Sequence, residues 1–440
     1  MTGSIRKTVS ALAASVLLSG TVLGCSAGGK QASGGNAPQP GGQQEQIQLR
    51  VAWWGSQDRH DRTQKAIQLF QEKYPHIKVS VEFTGFDDYW NKLATQAAGQ
   101  NLPDVIQMDY KFLSEYVERK LLAELDPYVQ SGTLNLTDVD DVYLDGGKIG
   151  GKLYAVNLGS NSLAMAYDPE MFQQAGIKEP QPGYTWEDLE AMARELKAKL
   201  GQDVWGMPLA NEMNMFKHYL RQKGLWLYSD DGKSLGYPDD QVLTDFFNYW
   251  DKLRKDGIVP PPEVTQNIKG LEDELIVHKK SPVMFFHSNQ IIALAKAANR
   301  PLKLTIFPKL AGGQEGHFIK PSQFFSVTTQ SKQQEAGAMF IDFITNDLKA
   351  NEILAAERGV PISKKVRDHL FASLDPAGKE MFTYVELAQQ HSREIHPPDP
   401  AGSTKIEAAF KRIQETVNYG KNTPEQAAKQ FREEAEKALK

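Results

Sequence analysis

The sequence predicts an α/β fold with an open sheet, and three stretches near its start indicate it. Apolar and polar residues alternate over 47–53, which is typical of a strand. Residues 66–74 place apolar side chains at helical spacing and stop before Pro75. A second alternation covers 77–83. In open α/β sheets the ligand binds beyond the carboxyl ends of the strands, so the residues after position 53 are the first candidates for a binding site.

The segment after this first strand combines aromatic and charged side chains. Trp54 and Gly55 are followed by Arg59 and His60. Flat apolar faces beside hydrogen-bonding groups suit a sugar, which has C–H faces and hydroxyl edges. Trp54 is the main stacking candidate, because Trp53 shares the phase of the buried strand positions. The alternative is that both indoles belong to the core.

The rest of the chain predicts further strands and helices. Strands are expected at 105–108, 153–167, 204–207, 281–287, 302–307 and 324–328, with a glycine-rich hairpin at 146–154. Helices are expected at 112–122, 215–222, 241–255, 271–279, 289–298 and 333–344. Two more begin after Thr185, which precedes two acidic residues, and after Thr423, which has Pro424 and Gln426 in the first turn.

Length and composition are those of a globular protein. The chain has 440 residues, 40% of them hydrophobic and 24% charged, with a mean hydropathy of -0.47. This predicts two or three domains with an ample core. The formal net charge is -5, and it becomes more negative without residues 1–24, which contain Arg6 and Lys7 but no acidic residue. A mildly acidic body argues against nucleic acid or an anionic membrane surface as the main partner.

Residues 1–24 are typical of an export signal, because an apolar stretch at 9–23 follows positive charges and is too short to span a membrane comfortably. The signal ends in Val-Leu-Gly-Cys, which resembles a bacterial lipobox and implies lipidation of Cys25, although Leu23 is larger than usual. A plain signal peptide is the alternative. Cys25 is the only cysteine, so neither a disulfide framework nor a cysteine metal site is expected. The Gly-, Ser- and Gln-rich residues 25–46 predict a flexible tether to an anchor that does not span the membrane.

Several short motifs occur in a specific order along the body. After the strand–helix–strand unit of 47–83 come Leu-Pro-Asp-Val at 102–105, Tyr-Ala-Val at 154–156, Thr-Trp-Glu-Asp at 185–188 and Pro-Val-Met-Phe at 282–285. In this order they resemble the family 1 extracellular solute-binding lipoproteins of bacterial ABC importers. The resemblance covers nearly the whole chain after the tether.

Three further motifs narrow the resemblance. They are Trp-Trp-Gly at 53–55 with Arg-His at 59–60, Lys-Pro-Ser-Gln at 320–323, and Glu-Arg-Gly-Val-Pro-Ile-Ser-Lys at 357–364. Within the family they are most similar to binding proteins for pectin-derived oligosaccharides such as oligogalacturonides. Two positions depart from that pattern. Ser56 stands where a second glycine is usual, and His-Ser-Asn at 287–289 replaces a turn that more often carries tryptophan.

The resemblance implies a periplasmic-binding-protein-like fold, in which two α/β lobes enclose a ligand cleft and crossover strands join them. One lobe would comprise 47–158 and 308–357, and the other 159–307 and 358–440. The resemblance also implies a lipid-anchored monomer outside the cytoplasm. Such a protein captures an oligosaccharide by lobe closure and delivers it to an ABC permease, with no cofactor, metal or nucleic acid.

The candidate ligand-binding residues lie mainly at predicted strand ends and in turns. A guanidinium offers a rigid fork to a sugar carboxylate, so Arg59 is a candidate, with an ordinary surface arginine as the alternative. Lys320 precedes a proline that restricts its backbone, and is either aimed at ligand or solvated. Arg358 either binds ligand or neutralises a helix C-terminus. The complete set is Trp54, Gly55, Arg59, Asp109, Tyr110, Asn161, Trp205, Asn211, His287, Ser288, Asn289, Lys320, Gln323 and Arg358.

Three alternatives compete with a receptor for an acidic sugar. They are a receptor for a neutral oligosaccharide, a secreted glycosidase or lyase, and a surface adhesin that needs no lobe closure. A glycosidase requires two placed carboxylates, whereas the chain lacks H-E-x-x-H, a P-loop, G-x-G-x-x-G and short repeats, and its histidines lack metal-binding spacing. If the sugar-receptor hypothesis is right, Trp54, Asp109 and His287 line one shared crevice.

Overall fold

The computed structural model describes residues 46–400 and 402–440. The predicted signal peptide, Cys25 and the tether, apart from Gln46, lie outside the described residues. In the described part of the chain, no helix combines the length and the apolar character needed to span a membrane.

Ten strands within the described residues form three sheets. In chain order they are β1 (Ile47–Trp54), β2 (Ile77–Thr84), β3 (Val105–Met108), β4 (Lys148–Ile149), β5 (Lys152–Leu153), β6 (Val156–Asn161), β7 (Leu163–Tyr167), β8 (Val283–His287), β9 (Lys303–Thr305) and β10 (Lys320–Val327). Strands β4 and β5 form the predicted hairpin. The others divide into a five-stranded first sheet and a three-stranded second sheet.

The first sheet has the strand order β2-β1-β3-β10-β6. Strand β1 runs parallel to β2 and β3, and β10 runs antiparallel to β3 and β6. The carboxyl ends of β1, β3 and β6 therefore meet at one edge, where β10 begins. That edge carries Trp54, Asp109, Asn161 and Lys320, and it is the edge at which α/β sheets bind ligands.

The second sheet has the order β8-β7-β9, with antiparallel pairing throughout. Leu163 at the start of β7 pairs with His287 at the end of β8. Since β7 follows β6 almost at once, this pairing places His287 at the junction of the two sheets.

A single residue, Ser162, connects β6 in the first sheet to β7 in the second. Its N–H donates to the Oγ of Ser288 at 3.1 Å, and its carbonyl accepts from the N–H of Ser288 at 2.9 Å. Its own Oγ donates to the carbonyl of Phe318 at 2.9 Å. Hydrogen bonds therefore hold the backbone and the side chain of Ser162, and no additional residue separates the two strands.

Sixteen helices within the described residues surround the sheets. In chain order they are α1 (Gln57–Lys73), α2 (Phe86–Ala98), α3 (Tyr110–Glu118), α4 (Asp126–Gln130), α5 (Pro169–Ala175), α6 (Trp186–Leu200), α7 (Met213–Gln222), α8 (Gln241–Lys255), α9 (Pro262–Thr265), α10 (Ile291–Ala298), α11 (Gln334–Asn346), α12 (Leu348–Leu354), α13 (Lys364–Phe371), α14 (Pro376–Gln390), α15 (Ser403–Asn418) and α16 (Pro424–Ala438). Thr185 and Thr423 are the N-caps of α6 and α16, which confirms both predicted starts.

Three apolar cores hold these helices on the sheets. The first core joins α1 and α11 to the first sheet and continues onto one face of the second sheet. The second core lies on the other face of the second sheet, with α8, α15 and α16. The third core lies under α2 and α3 on the opposite face of the first sheet. Strand alternation separates the cores: Val51 faces the first and Ala52 the third, while Ala164 faces the first and Met165 the second.

The opening strand–helix–strand unit and the short strand 105–108 are confirmed. The predicted strand at 204–207 is wrong. The N–H groups of Trp205 and Gly206 donate to the carbonyls of Lys280 and Ile258, which lie in separate loops rather than in one neighbouring strand.

The predicted helix at 271–279 is also wrong, because only a short 3-10 turn forms at Leu271–Asp273. The N–H groups of Val277 and Lys279 donate to the carbonyls three residues back, so the segment folds as successive turns. The guanidinium of Arg300 donates to the carbonyls of Ile276 and Val277 and holds these turns in place.

Two boundaries differ from those expected. Residues 320–323, predicted as a loop, form the start of β10. The chain changes sheets at Ser162, four residues beyond the predicted limit at 158, and again between β9 and β10, an interval that contains the predicted limit at 308. The described body packs as one compact unit, and the division into two lobes with those limits stays a prediction.

Candidate functional site

A cleft of about 350 Å³ opens at the edge of the first sheet, where the second sheet adjoins it. This volume lies within the range of small-molecule sites. Groups from both sheets and from α7 meet there. The lining consists of Asp109, Tyr110, Lys111, Leu163, Asn214, Lys217, His218, Arg221, His287, Phe318, Lys320, Pro321, Ser322, Ile395, His396, Asp399, Ser403, Thr404 and Glu407.

Asp109 and Tyr110 enter the cleft from the end of β3. Asp109 is the N-cap of α3, and its Oδ1 accepts a hydrogen bond from the N–H of Lys111 at 2.9 Å. The hydroxyl of Tyr110 donates to the carbonyl of His396 at 2.5 Å. Burial raises the pKa of Tyr110, so its hydroxyl is a neutral donor at pH 7.

Lys320 and His287 place a cation beside a neutral ring. Desolvation lowers the pKa of Lys320, and the carboxylate of Asp109 opposes that shift. Among the described residues Lys320 makes no ion pair. Desolvation and the charge of Lys320 lower the pKa of His287 to about 4. The imidazole is therefore neutral at pH 7, and its Nδ1 is buried without a hydrogen-bond partner in the described structure.

Arg221 supports the opposite wall of the cleft. Its guanidinium lies 4.9 Å from the ring centroids of both Trp226 and Phe318. It also donates to the carbonyl of Glu394 at 3.0 Å, just before the Pro-rich segment 395–400. Burial lowers the pKa of Arg221 to about 10, which leaves the side chain charged at pH 7.

The Pro-rich segment 395–400 contacts both walls of the cleft. The ring of His396 lies edge-on to that of Tyr110, with 6.4 Å between the centroids. Asp399 pairs with Lys217 of α7 at 2.7 Å. The segment therefore connects the edge of the first sheet to α7.

A second cavity, of about 420 Å³, lies at the start of α1 and at the turn after α12. It shares Ser322 with the cleft. Five residues predicted to bind ligand meet in it, although they are far apart in the sequence. The lining consists of Asp58, Arg59, Arg62, Asn161, Asn289, Ile292, Ser322, Gln323, Ala355, Ala356, Glu357, Arg358, Gly359 and Met381.

The two predicted arginines in this cavity differ in their partners. The Nε of Arg59 donates to both oxygens of Glu357, at 3.0 and 2.9 Å, and its Nη1 donates to the carbonyl of Trp54 at 3.2 Å. Arg358 is 6% exposed, and its Nη2 donates to Thr63 Oγ1 at 2.9 Å. Burial, followed by the charge of Arg59, lowers the pKa of Arg358 to about 9. Arg59 therefore pairs with Glu357 directly, whereas Arg358 reaches the same carboxylate only at 3.9 Å.

Trp54 does not line the cleft, so the expected crevice shared by Trp54, Asp109 and His287 needs correction. Trp54 is 8% exposed, and its indole packs against Tyr89 and Trp90 of α2, with centroid distances of 5.2 and 5.6 Å. The reason is that α2 covers the face of β1 to which Trp54 points. Asp109 and His287 do share the cleft.

Four more candidates lie outside both cavities, because their surroundings are other parts of the protein. Asn211 bonds to Asn418, Ser288 bonds to Ser162, the Trp205 ring lies 4.5 Å from the Nζ of Lys197, and Gly55 lies under the side chain of Arg59. These contacts are all within the protein, and ligand binding by these four residues stays a prediction.

Sequence reasoning missed a polar stripe on α7. Asn214, Lys217, His218 and Arg221 follow one another at helical spacing and all line the cleft. The apolar residues between them face the second core. The signal was present in the sequence, since a polar stripe along a largely apolar helix marks an exposed or ligand-facing side.

One hydrolase-type motif, Gly-Lys-Ser-Leu-Gly at 232–236, matches G-x-S-x-G. It lies in a turn rather than at a strand-to-helix elbow, and the N–H of Ser234 donates to Ser229 Oγ at 3.1 Å. The context that makes such a serine nucleophilic is therefore missing from this turn. The described residues also contain no cluster of three His, Cys, Asp or Glu suited to a metal.

Comparison with known proteins gives this geometry a context. The profile of the bacterial extracellular solute-binding protein family matches residues 65–382. Among solved structures, an extracellular solute-binding protein family 1 from Alicyclobacillus acidocaldarius is 32% identical, and the alignment covers 90% of this chain and 100% of that chain, with a TM-score of 0.83.

Two more similar proteins carry names that mention sugars. A multiple sugar-binding protein of Streptococcus mutans is 25% identical over 370 residues, which are 80% of this chain and 85% of that protein. A periplasmic oligogalacturonide-binding protein from Yersinia enterocolitica is 23% identical, covers 89% of this chain and 99% of its own, and has a TM-score of 0.76. At that identity the likeness concerns the fold alone. Together the structural likenesses confirm the predicted periplasmic-binding-protein-like fold.

Proposed function

This chain belongs to the family 1 bacterial extracellular solute-binding proteins, and from that premise we propose that it captures an oligosaccharide in the cleft. The bound form would deliver the sugar to the permease of an ABC importer. The cleft is the main site because both sheets, α7 and the Pro-rich segment contribute to its walls. A ligand there contacts every part that has to move together on closure.

The composition of the cleft wall is the main observation that supports the proposal. Tyr110 and Phe318 offer aromatic faces, and Asn214, Ser403 and Thr404 offer neutral polar groups. Sugars need both, since their C–H faces stack on rings while their hydroxyls exchange hydrogen bonds. The sugar-binding names of the Streptococcus mutans and Yersinia enterocolitica relatives agree with a carbohydrate ligand.

We further propose that the sugar carries uronate groups, as pectin-derived fragments of plant cell walls do. Lys320 lies in the cleft without an ion-pair partner among the described residues, although Asp109 lies close enough to influence its pKa. An unpaired ammonium suits a carboxylate ligand. A neutral oligosaccharide is the second candidate, because Lys217 and Arg221 are already engaged by protein groups.

Calorimetric titration with galacturonate oligomers and with neutral arabinan, galactan and xylan oligomers tests the proposal. We expect saturable binding without release of smaller sugars. Asn214→Ala in the cleft should weaken it, whereas Asn248→Ala on the exposed side of α8 should not. Turnover of the oligomers would favour an enzyme, and equal affinity for acidic and neutral oligomers would end the uronate proposal.

Closure and location have tests of their own. Small-angle scattering with and without ligand should show compaction if two lobes close, whereas an adhesin would show none. Replacing Cys25 with Ser should release the protein from the cell membrane if Cys25 carries the lipid. Retention of the Cys25→Ser protein at the membrane would instead favour a different anchor.

A further inference from the structure

The second cavity has two buried polar side chains that lack partners. Arg358 and Asn161 are each 6% exposed, and both line the cavity. Within the described structure the Nε of Arg358 and the Oδ1 of Asn161 make no hydrogen bond. A buried donor or acceptor without a partner is costly, and such atoms are rare unless a ligand or water uses them. The cavity thus provides one unused donor and one unused acceptor.

The charges around this cavity are unbalanced. Its lining contains three arginines and two carboxylates. Arg59 holds Glu357 at 2.9 Å, and Arg62 holds Asp58 at 2.7 Å. Arg358 approaches Glu357 only to 3.9 Å. The guanidinium of Arg358 therefore shares Glu357 with Arg59 and has no carboxylate of its own among the described residues. An anionic ligand would supply that missing negative charge.

The start of α1 adds to the preference for an anion. This helix has 17 residues, and its N-cap residue Ser56 makes no side-chain capping bond. The acidic side chain in its first turn, Asp58, is paired with Arg62 at 2.7 Å. Uncapped N–H groups and the positive end of the helix dipole favour negative charge nearby. Amide groups of Asn289 and Gln323 complete the polar lining.

From this arrangement we propose that the second cavity binds a sugar-acid residue, whose carboxylate pairs with Arg358 and whose hydroxyl donates to Asn161. The inference rests on the proposed function, because Ser322 joins the cavity to the cleft, where the rest of the oligosaccharide lies. The shortest ligand that fills both sites is then a disaccharide with one acidic end.

Because Arg358 is buried, its interaction with a ligand should depend strongly on the charge of that ligand. Its pKa is lowered to about 9 and thus stays above neutral pH, so the guanidinium is charged when the ligand arrives. A charge held away from water gains more from a fitted carboxylate than a solvated one does. A planar guanidinium also matches a carboxylate in geometry, which an ammonium does not.

The test compares digalacturonate with its carboxyl-reduced, neutral counterpart by calorimetry. Asn161→Asp places a second carboxylate beside the sugar acid and should weaken digalacturonate at least about tenfold, while the neutral disaccharide keeps its hydroxyl bond and its affinity. Gln68→Glu adds the same charge on the exposed face of α1 and should leave both ligands unchanged. Melting curves verify that each variant is folded.

Arg358→Lys supplies a second measurement that does not depend on Asn161. It keeps the charge but loses the planar fork, so the affinity for digalacturonate should fall several-fold while that for the neutral disaccharide holds. If both variants weaken the two ligands equally, or weaken neither, the proposal is overturned and sugar capture stands. If the unaltered protein binds longer oligomers but neither disaccharide, this proposal is overturned and sugar capture stands. If it binds none of the oligomers, the proposed function itself has failed.

Discussion

Strands β1 and β3 lie side by side and end at the same edge, yet only β3 leads into the cleft. Trp54 ends β1 and is covered by Tyr89 and Trp90 of α2. Tyr110 follows β3 and faces the cleft as the first residue of α3. The end of a strand therefore locates a candidate site, and the helix packed over that end decides whether a ligand can reach it.

The largest effect is expected at the end of β1, which α2 covers. Trp54→Ala removes a buried indole from the third core and should lower the free energy of unfolding by about 3–5 kcal/mol. Denaturant unfolding measures this. Trp54→Phe should retain most of the packing and full ligand affinity. A folded Trp54→Phe protein that no longer binds sugar would show that Trp54 contacts the ligand after all.

A smaller effect is expected at the end of β3, which opens into the cleft, and it should be on ligand binding rather than on folding. Tyr110→Ala removes an aromatic face and the hydrogen bond that holds the carbonyl of His396 at the cleft wall. This should cost about 2 kcal/mol, or roughly thirtyfold in affinity. Calorimetry with the best oligosaccharide measures it. Tyr419→Ala, an aromatic residue 37% exposed after α15, is the matched control and should bind normally. Unchanged affinity in Tyr110→Ala would break the contrast between the two strand ends.

Low pH should destabilise the fold through two buried histidines next to the cleft. Burial lowers the pKa of His317 to about 3 and also that of His218. Below the ordinary histidine pKa of about 6.5 the unfolded chain binds protons that the folded chain refuses, so stability falls as pH falls towards about 3. Each histidine contributes up to about 1.4 kcal/mol per pH unit.

Denaturant unfolding at several pH values tests this, and His317→Asn should give a shallower dependence. The substitution removes one of the two buried imidazoles while leaving the side chain polar. An unchanged slope would mean that the acid sensitivity originates elsewhere, for example at His60 beside the covered end, whose pKa burial also lowers.

The smallest effect is expected for Lys320→Met. The side chain of this lysine is exposed, although the cleft wall desolvates it enough to lower its pKa. Its pairing with a ligand carboxylate is therefore largely screened and should contribute about 0.5–1 kcal/mol, or two- to fivefold in affinity. The loss should be confined to acidic ligands and should shrink in high salt. Lys65→Met on the exposed side of α1 is the control. Equal losses for neutral sugars would exclude a role for Lys320 in recognising charge.

Local signals predicted the frame of the fold. Alternation located β1, β2 and β3, and capping residues located the starts of α6 and α16, because these patterns depend on neighbours in the sequence. Trp54 was correctly placed at the end of its strand. Its orientation was not predictable, since it depends on α2 returning over that face.

Long-range pairing limited the prediction of the site. Arg59 and Glu357 are separated by 298 positions, so no local pattern could reveal that this arginine is already neutralised. The same holds for Arg358, which appeared to be a helix-terminal residue and is buried beside Thr63. By contrast, the polar stripe of α7 was visible in the sequence.

The single-residue crossing at Ser162 also limits how the length of this protein can vary. Adding or deleting one amino acid there would turn β7 over, because successive strand residues face opposite sides. Ala164 would then leave a large empty space where Met165 now fills the second core, and Met165 would collide with the first core. We therefore expect insertions and deletions to be tolerated in the outer loops, while the crossing at Ser162 should accept substitutions only.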